Sequence, residues 1–364
     1  MSFVYFAFID MLVPLSVNFL NRYHRYSMRI IAMIVLIIIV ITSLRSLIRM
    51  DSCITSVGAE IEPANRHQSR KINGDVNIRY FERIPGEEYG YIHNPRNICL
   101  GEDGKKEPIF LLFLVMSTPR EIYLREAIRD SYANDTNWPV LEEGSVRTVF
   151  LFGDIDAHDY VTQDAINGEM YYYGDIVQST EFIDSNSNQT RKIIMGFRWV
   201  KDHCRHALYV MKIEERSMVN QRTLLKRLRG NHVLKHFLLG DVVTDVQALR
   251  DNMRLNIPPE MIHPNGTLPP FFYGAGFILS FDVVEAIHQV SFSIPFVINT
   301  NVYIGLCLQK LGITLIQTPD DVSFSKKIIY NESGRNGVDK FNQCIAIPHL
   351  SETEMYILWR FGKI

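Results

Sequence analysis

Eight consecutive apolar residues, Ile109 to Met116 (IFLLFLVM), constrain this chain more than any other stretch. A run of that length matches a strand, and without polar alternation it has no face to offer to water. Such a strand belongs inside a sheet covered by helices on both sides, the usual setting of parallel strands. The downstream pattern agrees. Ser117-Thr118-Pro119 reads as a helix start leading into residues 120–132. Residues 146–152 (VRTVFLF) form a second strand, closed by Gly153-Asp154, and residues 176–182 a short extended piece. Residues 190–205 have helical spacing, with Ile193, Ile194, Phe197, Trp199 and Val200, and residues 207–213 (ALYVMKI) are a third strand. Helices are expected at 218–228, 282–289 and 302–311, and strands at 277–280 and 314–317. Strands alternating with helices predict an α/β domain with a largely parallel sheet.

A second constraint lies upstream. Residues 30–44 (IIAMIVLIIIVITSL) carry no charge, and with Leu47 and Ile48 they approach the ~20 residues that cross a bilayer. Arg29 and Arg45 flank the run closely enough to snorkel to the interfaces. Arg22, Arg25 and Arg29 precede it and Arg45 and Arg49 follow, a slight bias toward a cytoplasmic N-terminus. A cleaved signal peptide competes, but the run is long for that role and no small-x-small cleavage site follows. The expected organisation is a cytoplasmic segment at 1–29, a transmembrane signal anchor at 30–48, a polar stem at 51–107 and a lumenal domain at 108–364. A further apolar stretch, 3–20, is broken by Asp10, Pro14 and Asn18 and reads as a poor second span or an interfacial segment.

Charge excludes one class of partner. The formal net charge of the 364 residues is -2, which gives no support for nucleic-acid binding. Cys53, Cys99, Cys204, Cys307 and Cys344 form no CxxC pair, so a zinc site is not expected. The last four either make two disulfides in an oxidising compartment, with no pairing readable, or stay as reduced buried thiols. Asn134, Asn188, Asn265 and Asn331 each begin an N-x-S/T sequon, all on the C-terminal side of the apolar run. That placement favours passage of this side through the secretory lumen.

Six segments carry a chemical pattern. Residues 125–132 read Arg-Glu-Ala-Ile-Arg-Asp-Ser-Tyr. Gly174-Asp175-Ile176-Val177-Gln178 is followed by Phe182, Asp184, Asn188, Thr190, Lys192, Trp199 and Cys204. Lys212-Ile213-Glu214-Glu215-Arg216 runs on to Val219-Asn220. Tyr273-Gly274-Ala275-Gly276-Phe277-Ile278-Leu279-Ser280 comes next, then Asn301-Val302-Tyr303-Ile304-Gly305-Leu306-Cys307, then His349 with Glu354, Met355 and Trp359. In this order, over about 235 residues, they resemble the β-1,3-galactosyltransferase (hexosyltransferase) family of Golgi type II enzymes. The matching family patterns are R-x-A-I-R-x-T-W, D-I-I…F-x-D…N-L-T-x-K…W…C, K-x-D-D-D-x-F-V-N, S-G-G-G-Y-V-L-S and E-D-V-Y-x-G-x-C.

The resemblance implies a GT-A-like fold, a UDP-sugar donor, a glycan acceptor on a glycoprotein or glycolipid, Mn2+ as cofactor and a Golgi membrane location. It places nucleotide-sugar contacts at Arg125, Arg129, Asp175, Glu214, Glu215 and Arg216, and acceptor contacts at Gly274 and Gly276. Metal contacts would fall to Glu214, Glu215 and His349. Without the resemblance, Arg125 reads as a solvated helix face, the glycines as turns and Lys192 as structural. Two family positions are altered. Arg216 stands where the third acid of D-D-D would bind the metal, and a guanidinium there repels a divalent cation. It would either clamp a diphosphate itself or pair locally with Glu214, the metal site being lost. Asn301 replaces the aspartate of E-D-V that would serve as general base, and an amide cannot take that proton at neutral pH. Asp320 and His349 are neighbours that could substitute. Three readings follow: an inverting transferase of galactose or N-acetylglucosamine; an inactive relative that binds nucleotide or glycan, or acts as a chaperone; and a membrane-tethered structural protein with no ligand, against which the Arg129, Asp175 and Gly276 positions argue.

Overall fold

A computed structural model of the chain describes residues 90–362, apart from 140, 230–234, 248–256, 258–260, 263, 316–322 and 325–340. The cytoplasmic segment 1–29, the anchor 30–48, Cys53, Asp320 and the Asn331 sequon lie outside the described residues. Within them, no helix is long and apolar enough to cross a membrane.

The strands are β1 (Tyr91–His93), β2 (Ile109–Met116), β3 (Ser145–Asp154), β4 (Ile176–Ile183), β5 (Ala207–Glu214), β6 (Met218–Val219), β7 (Leu238–Val243), β8 (Phe271–Ser280) and β9 (Ala346–Ile347). The helices are α1 (Ile122–Asp130), α2 (Tyr160–Tyr173), α3 (Gln189–His203), α4 (Gln221–Arg229), α5 (Phe281–Ser291), α6 (Thr300–Lys310) and α7 (Glu352–Phe361). Seven strands make one sheet in the order β1-β4-β3-β2-β5-β8-β7, and β6 pairs with β9 apart from it. β2 is central and all eight of its residues are buried, as its composition requires. From Leu111 onward its side chains alternate between two cores. Leu112, Leu114 and Met116 face a core shared with α3, α5 and α6; Leu111, Phe113 and Val115 face one shared with α1, α4 and α7. Burying each large apolar side chain contributes about 1.5–3 kcal/mol.

The sheet is parallel only in its middle. β4, β3, β2 and β5 run together; β1 on one flank and β8 on the other run against them, and β7, antiparallel to β8, runs with them again at the far edge. The four central strands therefore end on one edge, at Ile183, Asp154, Met116 and Glu214. Ligands in open α/β sheets bind outside such carboxyl ends.

Several expectations change. The helix expected over 218–228 begins only at Gln221, because Met218 and Val219 pair with Ile347 and Ala346. Asn220 ends that ladder by donating its N–H to the Ile345 carbonyl, and its Oδ1 accepts from Thr223 N at 3.1 Å to start the helix. The stem as drawn to 107 includes folded chain. β1 joins the sheet edge, Trp199 Nε1 donates to Asn94 Oδ1 at 2.9 Å, and Cys99 is bonded to Cys204 across a sequence separation of 105. Closing a loop of that length restricts the unfolded chain by about 4–5 kcal/mol. Two disulfides among the last four cysteines do not form. Cys307 is a buried thiol whose pKa burial pushes up, and Cys344 donates to the Phe341 carbonyl at 3.5 Å. Thr314 and Leu315 are not in a strand, and 316–317 lie outside the described residues.

One buried group ties this packing to pH. His288 on α5 is 3% exposed and neither ring nitrogen has a hydrogen-bond partner. Burial, then the charges of Lys201 and Arg198, push its pKa down to about 4, with Asp202 opposing. The unfolded value is about 6.5, so the unfolded chain takes up the proton first, and stability falls as pH drops from about 6.5 to about 4. Between pH 7 and pH 5 the loss is about 2 kcal/mol. His288→Leu, which keeps the volume, is expected to shrink the difference in thermal midpoint between those two pH values. An unchanged difference would mean that the ring is solvated.

Candidate functional site

The turn after β2 is the hub of the carboxyl-end edge. Arg125, one turn into α1, is 1% exposed and reaches back to it. Its Nη1 donates to the Thr118 carbonyl at 2.6 Å and to Ser117 Oγ at 3.2 Å, and its Nη2 donates to the Pro119 carbonyl at 3.0 Å. The same guanidinium forms a fork with Glu169 on α2, both bonds 2.7 Å, over the Phe152 ring. Arg129 lies one turn on. It bonds Asp175 through Nε and Nη2 at 2.8 and 2.9 Å, meets Glu169 Oε1 at 2.7 Å, and lies 3.9 Å from the Tyr173 ring centroid. Two arginines and two carboxylates thus neutralise one another inside the fold. Burial raises the pKa of Asp175 against the pull of Arg129. Burial also pulls Glu169 upward, but bonds from Arg125 and the charges of both arginines outweigh it and hold its pKa low.

Two more groups hold the turn. Lys192, fully buried in the first turn of α3, donates to the Ser117 carbonyl at 2.7 Å and pairs with Asp184 at 2.8 Å. Asp184 Oδ2 also accepts from Gly153 N at 2.7 Å, linking the ends of β3 and β4. Just past the end of β5, Glu215 accepts from Ser117 Oγ and Thr118 N at 2.8 Å and from Thr118 Oγ1 at 2.6 Å. Both oxygens of Glu215 are therefore committed to the turn.

The triplet Glu214-Glu215-Arg216 sits where β5 runs out. Glu214, half exposed, pairs with the buried Lys212 two residues back on the same face of the strand. Arg216 does not pair with Glu214 as one reading expected; its Nη2 contacts Glu121 Oε1 at 2.5 Å, and both side chains are open to solvent. The Arg216 carbonyl accepts from Leu350 N at 2.9 Å, which brings His349 beside the triplet. His349 is exposed and holds a left-handed backbone, φ 63°, uncommon for a side-chain-bearing residue.

Gly274 and Gly276 approach the same edge on β8. Gly276 opposes Ile213, and a Cβ there would lie 2.1 Å from the Lys212 carbonyl oxygen, so strand packing alone requires glycine. Gly274 has φ 85°. Asn301 opens α6, held near the start of α3 by Thr190, whose hydroxyl donates to the Val297 carbonyl at 2.8 Å. Its Oδ1 is buried without a hydrogen-bond partner. Of the sequons, Asn134 and Asn265 accept from their own Thr136 and Thr267, while Asn188 donates to the Ile183 carbonyl.

The residues at this edge do not fit a divalent cation. Glu214 is neutralised by Lys212, Glu215 is saturated by hydrogen bonds, and the third position is a cation. Among the described residues no three His, Cys, Asp or Glu side chains converge to hold a metal. Two cavities, near Gln221 and Trp359 and near Asn265, lie away from the triplet. Reading the sequence missed Glu169, Glu121 and the grip of Lys212 on Glu214. Only Lys212 left a signal, as a charge inside the apolar run 207–213 (ALYVMKI).

An α/β domain with acidic residues at the carboxyl ends of parallel strands is the class to which these features point. Residues 124–319 match the Galactosyltransferase family. Mouse beta-1,3-galactosyltransferase 1 is 30% identical over 278 residues, covering 76% of this chain and 79% of that protein. Mouse beta-1,3-galactosyltransferase 5 is 30% identical over 258 residues, 71% of this chain and 80% of that protein. Mouse beta-1,3-galactosyltransferase 2 is 30% identical over 324 residues, with 86% and 72% covered. The chain belongs to the galactosyltransferase family, the family of its hexosyltransferase relatives.

The arginine cluster has a measurable consequence. Glu169→Leu leaves Arg125 buried without its counter-charge, and urea unfolding is expected to show a loss of about 3–5 kcal/mol. Arg125→Met added to it should recover most of the loss. A loss below about 1 kcal/mol for the single change would mean that the guanidinium is reached by water.

Proposed function

We propose that this protein is a UDP-sugar-dependent hexosyltransferase that moves galactose or N-acetylglucosamine to a glycan acceptor through a β-1,3 bond, with inversion. The observation that carries the reading is its 30% identity to a β-1,3-galactosyltransferase over 76% of the chain, taken with the triplet at the carboxyl-end edge of the sheet. In the reaction an acceptor oxygen bonds to the anomeric carbon as the bond from that carbon to the diphosphate breaks. UDP leaves with the electron pair, and the acceptor hydroxyl gives up its proton. This chain must hold both partners in line, and the turn Ser117–Pro119 beside the triplet is itself held by Arg125, Lys192 and Glu215.

Asn301 cannot receive the proton. Glu215 and Asp184 at this edge are taken up by the turn and by Lys192, which leaves Asp154, Glu214 and His349 among the candidates to receive it. A disulfide between Cys99 and Cys204 favours an oxidising compartment. Together with the apolar run at 30–48 and the sequons, it supports a Golgi membrane protein of type II orientation with the domain in the lumen.

The test is release of UDP from UDP-galactose and UDP-N-acetylglucosamine, with and without acceptor glycans. Acceptor-stimulated release is expected, falling at least tenfold in Glu214→Ala. Release unaltered by that change would overturn the site assignment. Absence of acceptor-stimulated release with a broad acceptor panel would overturn the transferase reading in favour of a non-catalytic binding role.

A further inference from the structure

At the triplet, the position at which the resemblance calls for a metal-binding carboxylate carries a guanidinium, and the neighbouring carboxylates already have partners. Lys212 holds Glu214, Ser117 and Thr118 hold Glu215, and Arg216 itself holds Glu121. A divalent cation would have to displace Lys212 from Glu214, break three hydrogen bonds at Glu215, and sit beside a fixed positive charge. Resting on the nucleotide-sugar reading above, we propose that Arg216 binds the diphosphate of a nucleoside diphosphate directly and without a metal ion. Glu121 is the internal counter-ion that holds Arg216 until the diphosphate arrives.

Three observations support this assignment. Arg216 belongs to the segment that ends β5, at the carboxyl-end edge of the sheet. It is the partner of an exposed pair, with side chains 49% and 36% exposed, so the pair costs little to break. A diphosphate offers a planar guanidinium two parallel charge-assisted bonds, against the single contact seen to Glu121. Glu121 is also free to let go. It occupies the N-cap of α1, yet its side chain makes no capping bond, so α1 does not depend on where that carboxylate points. The anchor of the segment lies elsewhere, in the bonds of Glu215 to the turn and of Leu350 N to the Arg216 carbonyl. Arg216 can therefore exchange partners by side-chain rotation while its backbone stays in place.

The two partners make opposite predictions, which separates binding from folding. The experiment is calorimetric titration of the full chain in detergent micelles with UDP and with uridine, each in chelator and in Mn2+. UDP is expected to bind in chelator with an affinity that Mn2+ changes by less than about twofold. Arg216→Gln should weaken UDP at least about tenfold, the value of a lost charge-assisted pair, and leave uridine unchanged. Glu121→Gln should tighten UDP about two- to fivefold, because it removes a competitor whose pair is worth no more than that. UDP binding that requires Mn2+, or that Arg216→Gln leaves intact, overturns metal-free capture while leaving the nucleotide-sugar reading in place. A wild-type chain that binds no UDP under either condition overturns that reading, and this assignment falls with it.

Discussion

Three charged side chains from three parts of the chain close on the turn Ser117-Thr118-Pro119, and the rest of the carboxyl-end edge is positioned through them. Arg125 takes the Thr118 and Pro119 carbonyls from α1, Lys192 takes the Ser117 carbonyl from α3, and Glu215 takes the Thr118 N–H and both hydroxyls from just past the end of β5. The turn's backbone groups could not be buried without such partners, since an unpaired polar group costs about 1–3 kcal/mol. The two cations in turn need their own neutralisers. Glu169 serves Arg125, and Asp184 serves Lys192. Asp184 then passes the constraint to Gly153 at the end of β3. The edge is thus one connected polar frame, set against a sheet that is apolar on both faces.

This frame explains which features were readable in the sequence. β2 was legible in full because eight unbroken apolar residues admit no other placement, and α3 was legible because Ile193, Phe197 and Val200 recur at helical spacing. The break between β6 and α4 was not legible. Met218 and Val219 look like the opening of a helix until the chain more than a hundred residues later pairs with them. β1 was hidden for the same reason: three residues in polar surroundings become a strand only because β4 has an open edge. The charged pairs were the least visible. Arg125 and Arg129 share a helix face at a spacing of four, which fits a solvated stripe as well as a buried one. The choice depends on Glu169, 44 residues away on a helix otherwise mostly exposed.

The site itself was half legible. The order of motifs picked out the triplet, the glycines and Asn301, and the fold sets Gly276 on β8 opposite Ile213, next to the triplet. Their partners were beyond reach, because an ion pair depends on which side chains meet and not on which residues are present. Arg216 was assigned a choice between a ligand and Glu214; the structure gives it Glu121, a residue in no motif.

The same frame bears on how such a site can change its chemistry. In a metal-dependent arrangement the carboxylates must be left short of positive charge, so that the cation completes them. Here the deficit is filled from within the chain. Lys212 lies in the buried row of β5 and cannot withdraw into water, so its charge stays opposite Glu214 whether or not a ligand is bound. Glu215 is equally fixed, because releasing it would leave the Thr118 N–H and two hydroxyls unpaired. Of the two cations at the end of β5, Lys212 is buried, whereas Arg216 is exposed and held by a single contact. The frame therefore leaves one cation able to respond to an anionic ligand. Its position is set by the bonds of Glu215 to the turn and of Leu350 N to the Arg216 carbonyl.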